Sequence, residues 1–198
     1  MMKKWYMIAA SLVLVGIGAG IFYFAVYKPS AMRLPEGVTM ETAWGTPYSF
    51  DDLPPKVRLV EFIYTNCPDI CPNTTMQMAK LRDRLQKAGV FGRDVEFVTI
   101  TIDPARDTKE KLQTYANTFG VTGDGQGWVF LRGSEAETKT TADAFSFQYR
   151  DPGNGMIVHT SLAYLLNRDG RVIEQIDMGG ASRFRVDEVY EAIMDELS

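Results

Sequence analysis

Cysteine and histidine are nearly missing from this chain, with two of the first and one of the second in 198 residues. A domain stapled by disulfides would space its cysteines widely, yet Cys67 and Cys71 stand only four positions apart. Repeats and low-complexity tracts are also absent. Positive charge is short: the 168 residues from Ala31 to Ser198 hold all 25 acids, while Lys3, Lys4 and Lys28 precede them. That acidic balance argues against nucleic acid as a partner.

Charge is missing altogether from Trp5 to Tyr27, an apolar run long enough to cross a bilayer with some tilt. Lys3 and Lys4 precede it, so the positive-inside bias keeps the N-terminus in the cytoplasm. Everything after Lys28 then lies outside. A cleaved signal peptide is the competing reading, but the run exceeds a typical apolar core and no small-x-small site follows. No cysteine lies near it for lipid attachment. The expected organisation is an anchor over residues 1–28, a proline-bearing tether over 29–40 and one domain over 41–198.

What is present is concentrated in Tyr64-Thr65-Asn66-Cys67-Pro68-Asp69-Ile70-Cys71-Pro72. Val57 to Tyr64, rich in β-branched and aromatic residues, reads as a strand. Asn73 to Ala88, with Met76, Leu81 and Leu85 at helical spacing and Gly89 as a stop, reads as a helix. Pro72 suits the first helical position, which puts Cys71 near the N-cap, where unpaired amides favour a thiolate. A structural disulfide is the alternative. It would close a loop of only five residues, worth roughly 2 kcal/mol against ~4–5 for a long one.

The remainder alternates strand and helix. Thr42 to Phe50 reads as a weak hairpin and Val95 to Ile102 as a strand parallel to the first. Asp107 caps a helix that runs to Phe119, and Trp128 to Leu131 is a short strand. Ser134 to Phe147 is a helix with Glu137 completing a capping box. Gly153 to Gly155 is a loop tip. Ser161 to Leu166 and Arg171 to Ile176 flank a turn at Asn167-Arg168-Asp169-Gly170, and Phe184 to Leu197 closes the chain as an amphipathic helix. A cysteine pair at the first strand-to-helix turn and a late antiparallel hairpin are the order of an α/β, thioredoxin-like fold. The pair here is CxxxC, where CxxC is usual.

His159 stands just before the hairpin strand, which in that fold lies beside the cysteine turn. A lone histidine is often merely packed or solvated; its topological position points instead to a third donor. Two thiolates and an imidazole form a soft set suited to copper, with zinc the main competitor. Asp103 ends the neighbouring strand, either as a weak ligand or ligand-supporting partner, or as part of an Asp-Pro turn. Met76, Met78, Met156 and Met178 read as packing residues rather than ligands.

With these motifs in place, the chain resembles the Sco/SenC proteins. These are membrane-anchored copper-binding proteins needed to assemble the binuclear copper site of cytochrome c oxidase subunit II. The resemblance rests on Phe62-Ile63-Tyr64-Thr65 with CPDICP, and on Asp103-Pro104 followed by Arg106-Asp107-Thr108. It continues through Trp128-Val129-Phe130-Leu131 with Gly133, and His159 leading into Ala163-Tyr164-Leu165. It covers roughly residues 42–176. Thr160 stands where serine is common, and Pro54-Pro55-Lys56 replaces a glycine-containing turn.

The resemblance implies that Cys67, Cys71 and His159 bind Cu(I) or Cu(II). It also implies a metallochaperone, held in the cell membrane by one span with its domain extracytoplasmic. The partners would be oxidase subunit II and an extracytoplasmic thiol reductant that keeps the cysteines reduced. The alternative is a thiol–disulfide oxidoreductase in which Cys67 attacks and Cys71 resolves. A thiol peroxidase fits poorly, because no threonine stands three residues before either cysteine.

Overall fold

The computed structural model describes residues 2–23, 32–153, 155–179 and 183–198. Helix α1 (Met2–Phe22) is long and apolar enough to cross a membrane. Tyr27, Lys28 and the start of the expected tether lie outside the described residues, as does Asn154 of the loop tip. From Met32 onward the tether segment is packed: Met32, Leu34 and Val38 are buried. The backbone carbonyl of Met32 accepts from Val172 N–H, and Leu34 N–H donates to Gly170. Pro35 and Gly37 keep the segment irregular without keeping it off the domain.

The strands are β1 (Thr39–Thr42), β2 (Pro47–Ser49), β3 (Val57–Ile63), β4 (Val95–Thr101), β5 (Trp128–Arg132), β6 (Tyr149–Arg150), β7 (Val158–His159), β8 (Leu162–Leu166) and β9 (Val172–Asp177). Seven form one sheet in the order β2-β1-β5-β4-β3-β8-β9, and β6 and β7 pair separately. All seven residues of β3 are buried, as a strand covered on both faces requires. β3 runs parallel to β4 and antiparallel to β8, with Glu61 opposite Thr99 on one side and Ala163 on the other.

The helices after α1 are α2 (Ile70–Lys87), α3 (Lys109–Thr118), α4 (Glu135–Ala144) and α5 (Val186–Leu197). Thr75 of α2 and Tyr115 of α3 meet over Glu61, and α2 packs against α5. On the opposite pleat Phe62 packs against Phe145 and Phe147, which follow α4. The result is the expected thioredoxin-like α/β arrangement, with the end of β3 feeding the cysteine loop.

Several local expectations change. α2 begins at Ile70 rather than Asn73, with Asp69 as N-cap, so Cys71 and Pro72 lie inside its first turn. The cap of α3 is Thr108, not Asp107, whose side chain is buried and turned inward. α4 stops at Ala144 because Ser146 takes the left-handed conformation (φ 52°) that glycine usually supplies, so no glycine announced the stop. Its capping box between Ser134 and Glu137 is present. The β6–β7 ribbon was not anticipated, since two-residue strands carry no alternation to detect.

Candidate metal centre

The loop from Tyr64 to Asp69 turns through a bond from Cys67 N–H to the Tyr64 carbonyl (3.1 Å). Asp69 caps α2 without a side-chain bond to its amides. The Cys67 sulfur takes that place: it accepts from the Cys71 N–H at 3.4 Å. Orphan amides of a helix start are thus spent on sulfur. The electropositive helix end serves Cys67, which precedes the helix, rather than Cys71 as the sequence suggested.

Cys71 is buried beneath, and neither cysteine is in a disulfide. Their proton is shared unequally. The Cys71 thiol donating to Cys67, with help from His159 and the amides of Cys71 and Asp69, holds Cys67 far below the usual thiol range despite burial. The same bond, together with burial and the Cys67 charge, pushes Cys71 well above it. The arrangement favours a charged Cys67 beside a protonated Cys71.

His159 arrives on β7, where it pairs with Tyr149. Its Nδ1 lies 2.8 Å from the Thr160 carbonyl, to which Nδ1–H donates, which leaves Nε2 as the nitrogen with a lone pair for a metal. The ring is flanked by Phe147, stacked at 5.8 Å, and by Tyr64, edge-on at 5.9 Å. Burial lowers the imidazole pKa, but bonds to Cys67 and Thr160 and the thiolate charge outweigh it and raise it. The ligand atoms of Cys67, Cys71 and His159 all lie within 4.8 Å of one another. One ion fits between atoms so spaced.

Asp103 is not in that group. It lies buried just past the end of β4, and its carboxylate accepts from Arg106 Nε at 2.5 Å. Of the methionines set aside, Met78 and Met178 are buried and Met76 and Met156 exposed. Met178 lines a cleft of about 10 Å³ with Cys71, His159 and Glu61. That is about the space of one water.

Three supporting residues escaped the sequence reading. Tyr64 is buried beside Cys67, and burial and the sulfur's charge push its hydroxyl up to about 12. Glu61 lies fully buried under the cysteines, and desolvation lifts its carboxyl to about 7 although Thr99 and Thr75 donate to it. Asp107 accepts from Thr65 N–H (3.0 Å) and from the hydroxyls of Thr65 and Thr101 (2.5 Å each), fixing the start of the cysteine loop. The signal for Glu61 was a lone carboxylate in the second half of a strand whose only other charge is Arg58. Asp107 had none beyond its place before a helix.

Residues 39–194 match the family model described as SCO1/SenC. The SCO1 protein homolog of Bacillus subtilis is 27% identical over 187 residues, covering 89% of this chain and 93% of that protein. A SCO1/SenC family lipoprotein from Bacillus anthracis superposes with a TM-score of 0.75 at 26% identity, covering 86% of this chain and 98% of that one. Arabidopsis thaliana ScoI, solved with copper bound, shares the fold at 24% identity and a TM-score of 0.70, covering 84% and 98%. The match to the family model spans most of the chain, from the first sheet strand into the closing helix, and the chain belongs to the SCO1/SenC family.

Proposed function

We propose that this protein is a membrane-anchored copper metallochaperone whose ligands are Cys67, Cys71 and His159. The observation that carries the reading is the convergence of two sulfurs and an imidazole nitrogen within 4.8 Å, from segments almost ninety residues apart. Soft sulfur donors select copper or zinc, and an imidazole serves both. Three donors satisfy Cu(I), whereas Cu(II) recruits a fourth such as water, because it prefers a tetragonal field. Binding must release the Cys71 proton, since the ligand is the thiolate. The Arabidopsis relative, similar in fold, supports copper over zinc.

Helix α1 holds the protein in the membrane in this reading. Its 21 residues span about 31 Å at 1.5 Å per residue, close to the thickness of a bilayer core. The domain then lies outside the cytoplasm, where an external thiol reductant keeps the cysteines open. There it delivers copper to the binuclear site of cytochrome c oxidase subunit II. This target follows from the resemblance to Sco/SenC proteins. Asp103 acts outside the ligand set, by holding Arg106.

The test is titration of the reduced full-length chain in detergent with Cu(I), Cu(II) and Zn(II), beside His159→Ala. The parent should bind Cu(II) with a sulfur-to-copper charge-transfer band. The variant should lose that band and most Cu(II) affinity while retaining much of its Cu(I) binding through two thiolates. Unchanged Cu(II) binding in His159→Ala would defeat the assignment. A second reading, thiol–disulfide exchange, is favoured by the charged Cys67 sulfur lying against Cys71. In that case His159→Ala should keep most of the exchange rate, while Cys67→Ser abolishes it.

A further inference from the structure

We propose that Arg106 is a positioning residue for His159, latching the β6–β7 ribbon to the turn after β4; the inference rests on the metal-site reading above. The turn runs from Asp103 to Thr108, and the Asp103 carbonyl accepts the N–H groups of Arg106 (3.1 Å) and Asp107 (2.8 Å). Its two side arms reach opposite ways. Asp107 grips Thr65, two residues before Cys67. Arg106 donates through Nε to Asp103 (2.5 Å) and through a terminal nitrogen to Asp151 (2.7 Å). One short turn therefore holds both ligand-bearing segments.

The histidine side needs such a hold. β6 and β7 pair over two residues and are not hydrogen-bonded into the main sheet. A two-stranded ribbon of that size is marginal on its own. Other restraints at its base are Thr160 N–H to the Gln148 carbonyl (2.8 Å) and Gln148 N–H to the Thr160 hydroxyl (3.1 Å). At its far end, Asp151 also accepts from Gly153 N–H at 2.7 Å, so the carboxylate that meets Arg106 is itself fixed. Asp103 is 7% exposed in its side chain and requires a cation beside it, which keeps Arg106 in place whether or not Asp151 is bound. A planar guanidinium bridges two carboxylates at once; an ammonium on a flexible stem does not reproduce that fork.

Asp151→Asn cuts the latch while leaving the Arg106–Asp103 pair intact, and its side chain is 40% exposed, so folding is not at risk. The metal-free, reduced full-length chain in detergent gives the first readout: amide hydrogen exchange at Ile157 and Thr160. For a partly exposed pair the expected acceleration is about two- to five-fold. Arg106→Lys should show a similar increase, and the parent in high salt should move toward the variants. Arg106→Gln with Asp151→Asn should be no faster than Arg106→Gln alone.

Cu(II) supplies the second readout: its dissociation should quicken by the same factor, with the melting temperature unchanged. A general loss of stability would instead lower the melting temperature and quicken exchange throughout the sheet. Parental exchange rates at Ile157 and Thr160 in Asp151→Asn would overturn the latch. If exchange responds but the parent shows no His159-dependent Cu(II) band, the latch stands and the metal-site reading fails.

Discussion

Glu61→Gln should make the metal-free protein more stable at pH 8 while changing little near pH 4.5. Glu61 is wholly buried, and its carboxyl titrates near 7 against 4.5 for an exposed glutamate. Across that interval the native chain retains a proton that the unfolded chain has lost, so stability falls as pH rises. The loss is complete above pH 7 and amounts to about 3 kcal/mol, at about 1.4 kcal/mol per pH unit. Cys67 opposes it: its lowered pKa means that the native chain lacks a proton the unfolded chain carries, so that contribution grows with pH. Subtracting the variant from the parent removes the Cys67 contribution and leaves the carboxyl. Glutamine suits the site because Thr99 donates to one oxygen (2.8 Å), a role the amide oxygen keeps. The NH2 group then faces the Thr75 hydroxyl, which can donate to the Cys71 carbonyl (2.9 Å). Urea unfolding of both proteins at the two pH values measures the difference. Parallel stability curves across pH 4.5–8 would refute a buried, proton-binding Glu61.

Oxidation should join Cys67 and Cys71 reversibly, abolish copper binding, and add no more than about 2 kcal/mol to stability, because the loop is five residues long; calorimetry on the oxidised and reduced chain checks both. Phe147→Ala removes a fully buried ring that stacks on His159, and should cost about 3–5 kcal/mol and broaden the Cu(II) spectrum; denaturant melts and electron paramagnetic resonance report the two effects. In intact cells, externally added protease, or periplasmic reporters where there is an outer membrane, should reach the domain, and the mature protein should keep Trp5 to Tyr27; a soluble product beginning near Ala31 would contradict the anchor.

The sequence was most informative where pattern and chemistry coincide. β3, β4 and β5 are rich in β-branched and aromatic residues, and the Asn167–Gly170 hairpin is written in its turn: the Asn167 side chain accepts from Asp169 and Arg171 N–H, and Gly170 takes φ 75°. The cysteine pair and the lone histidine were legible because those residue types are so rare here. What stayed hidden depends on contacts distant in sequence. Asp107 looks like a helix cap, yet a carboxylate placed one residue before the true cap swings inward to Thr65, 42 positions away. Arg106 and Asp151 are 45 positions apart, and each reads alone as ordinary surface charge.

The position of Cys67 shows why spacing alone set the helix end beside the wrong cysteine. Pro72 favoured a helix starting there, but proline is tolerated through the first turn, whose amides have no intrahelical partner. Starting at Ile70 instead puts Cys71 second in the helix and turns its amide toward the sulfur four residues back. Cys67 gains the charge-favouring end of the helix, and Cys71 is left buried with its proton. On the proposed ligand assignment, a metal ion would meet the partly exposed thiolate and His159 first, and the buried thiol would have to give up its proton before binding as the third ligand. Uptake of Cu(I) should release that proton, so affinity should rise with pH. Equal affinities at pH 6 and pH 8 would show that Cys71 is already ionised or does not bind.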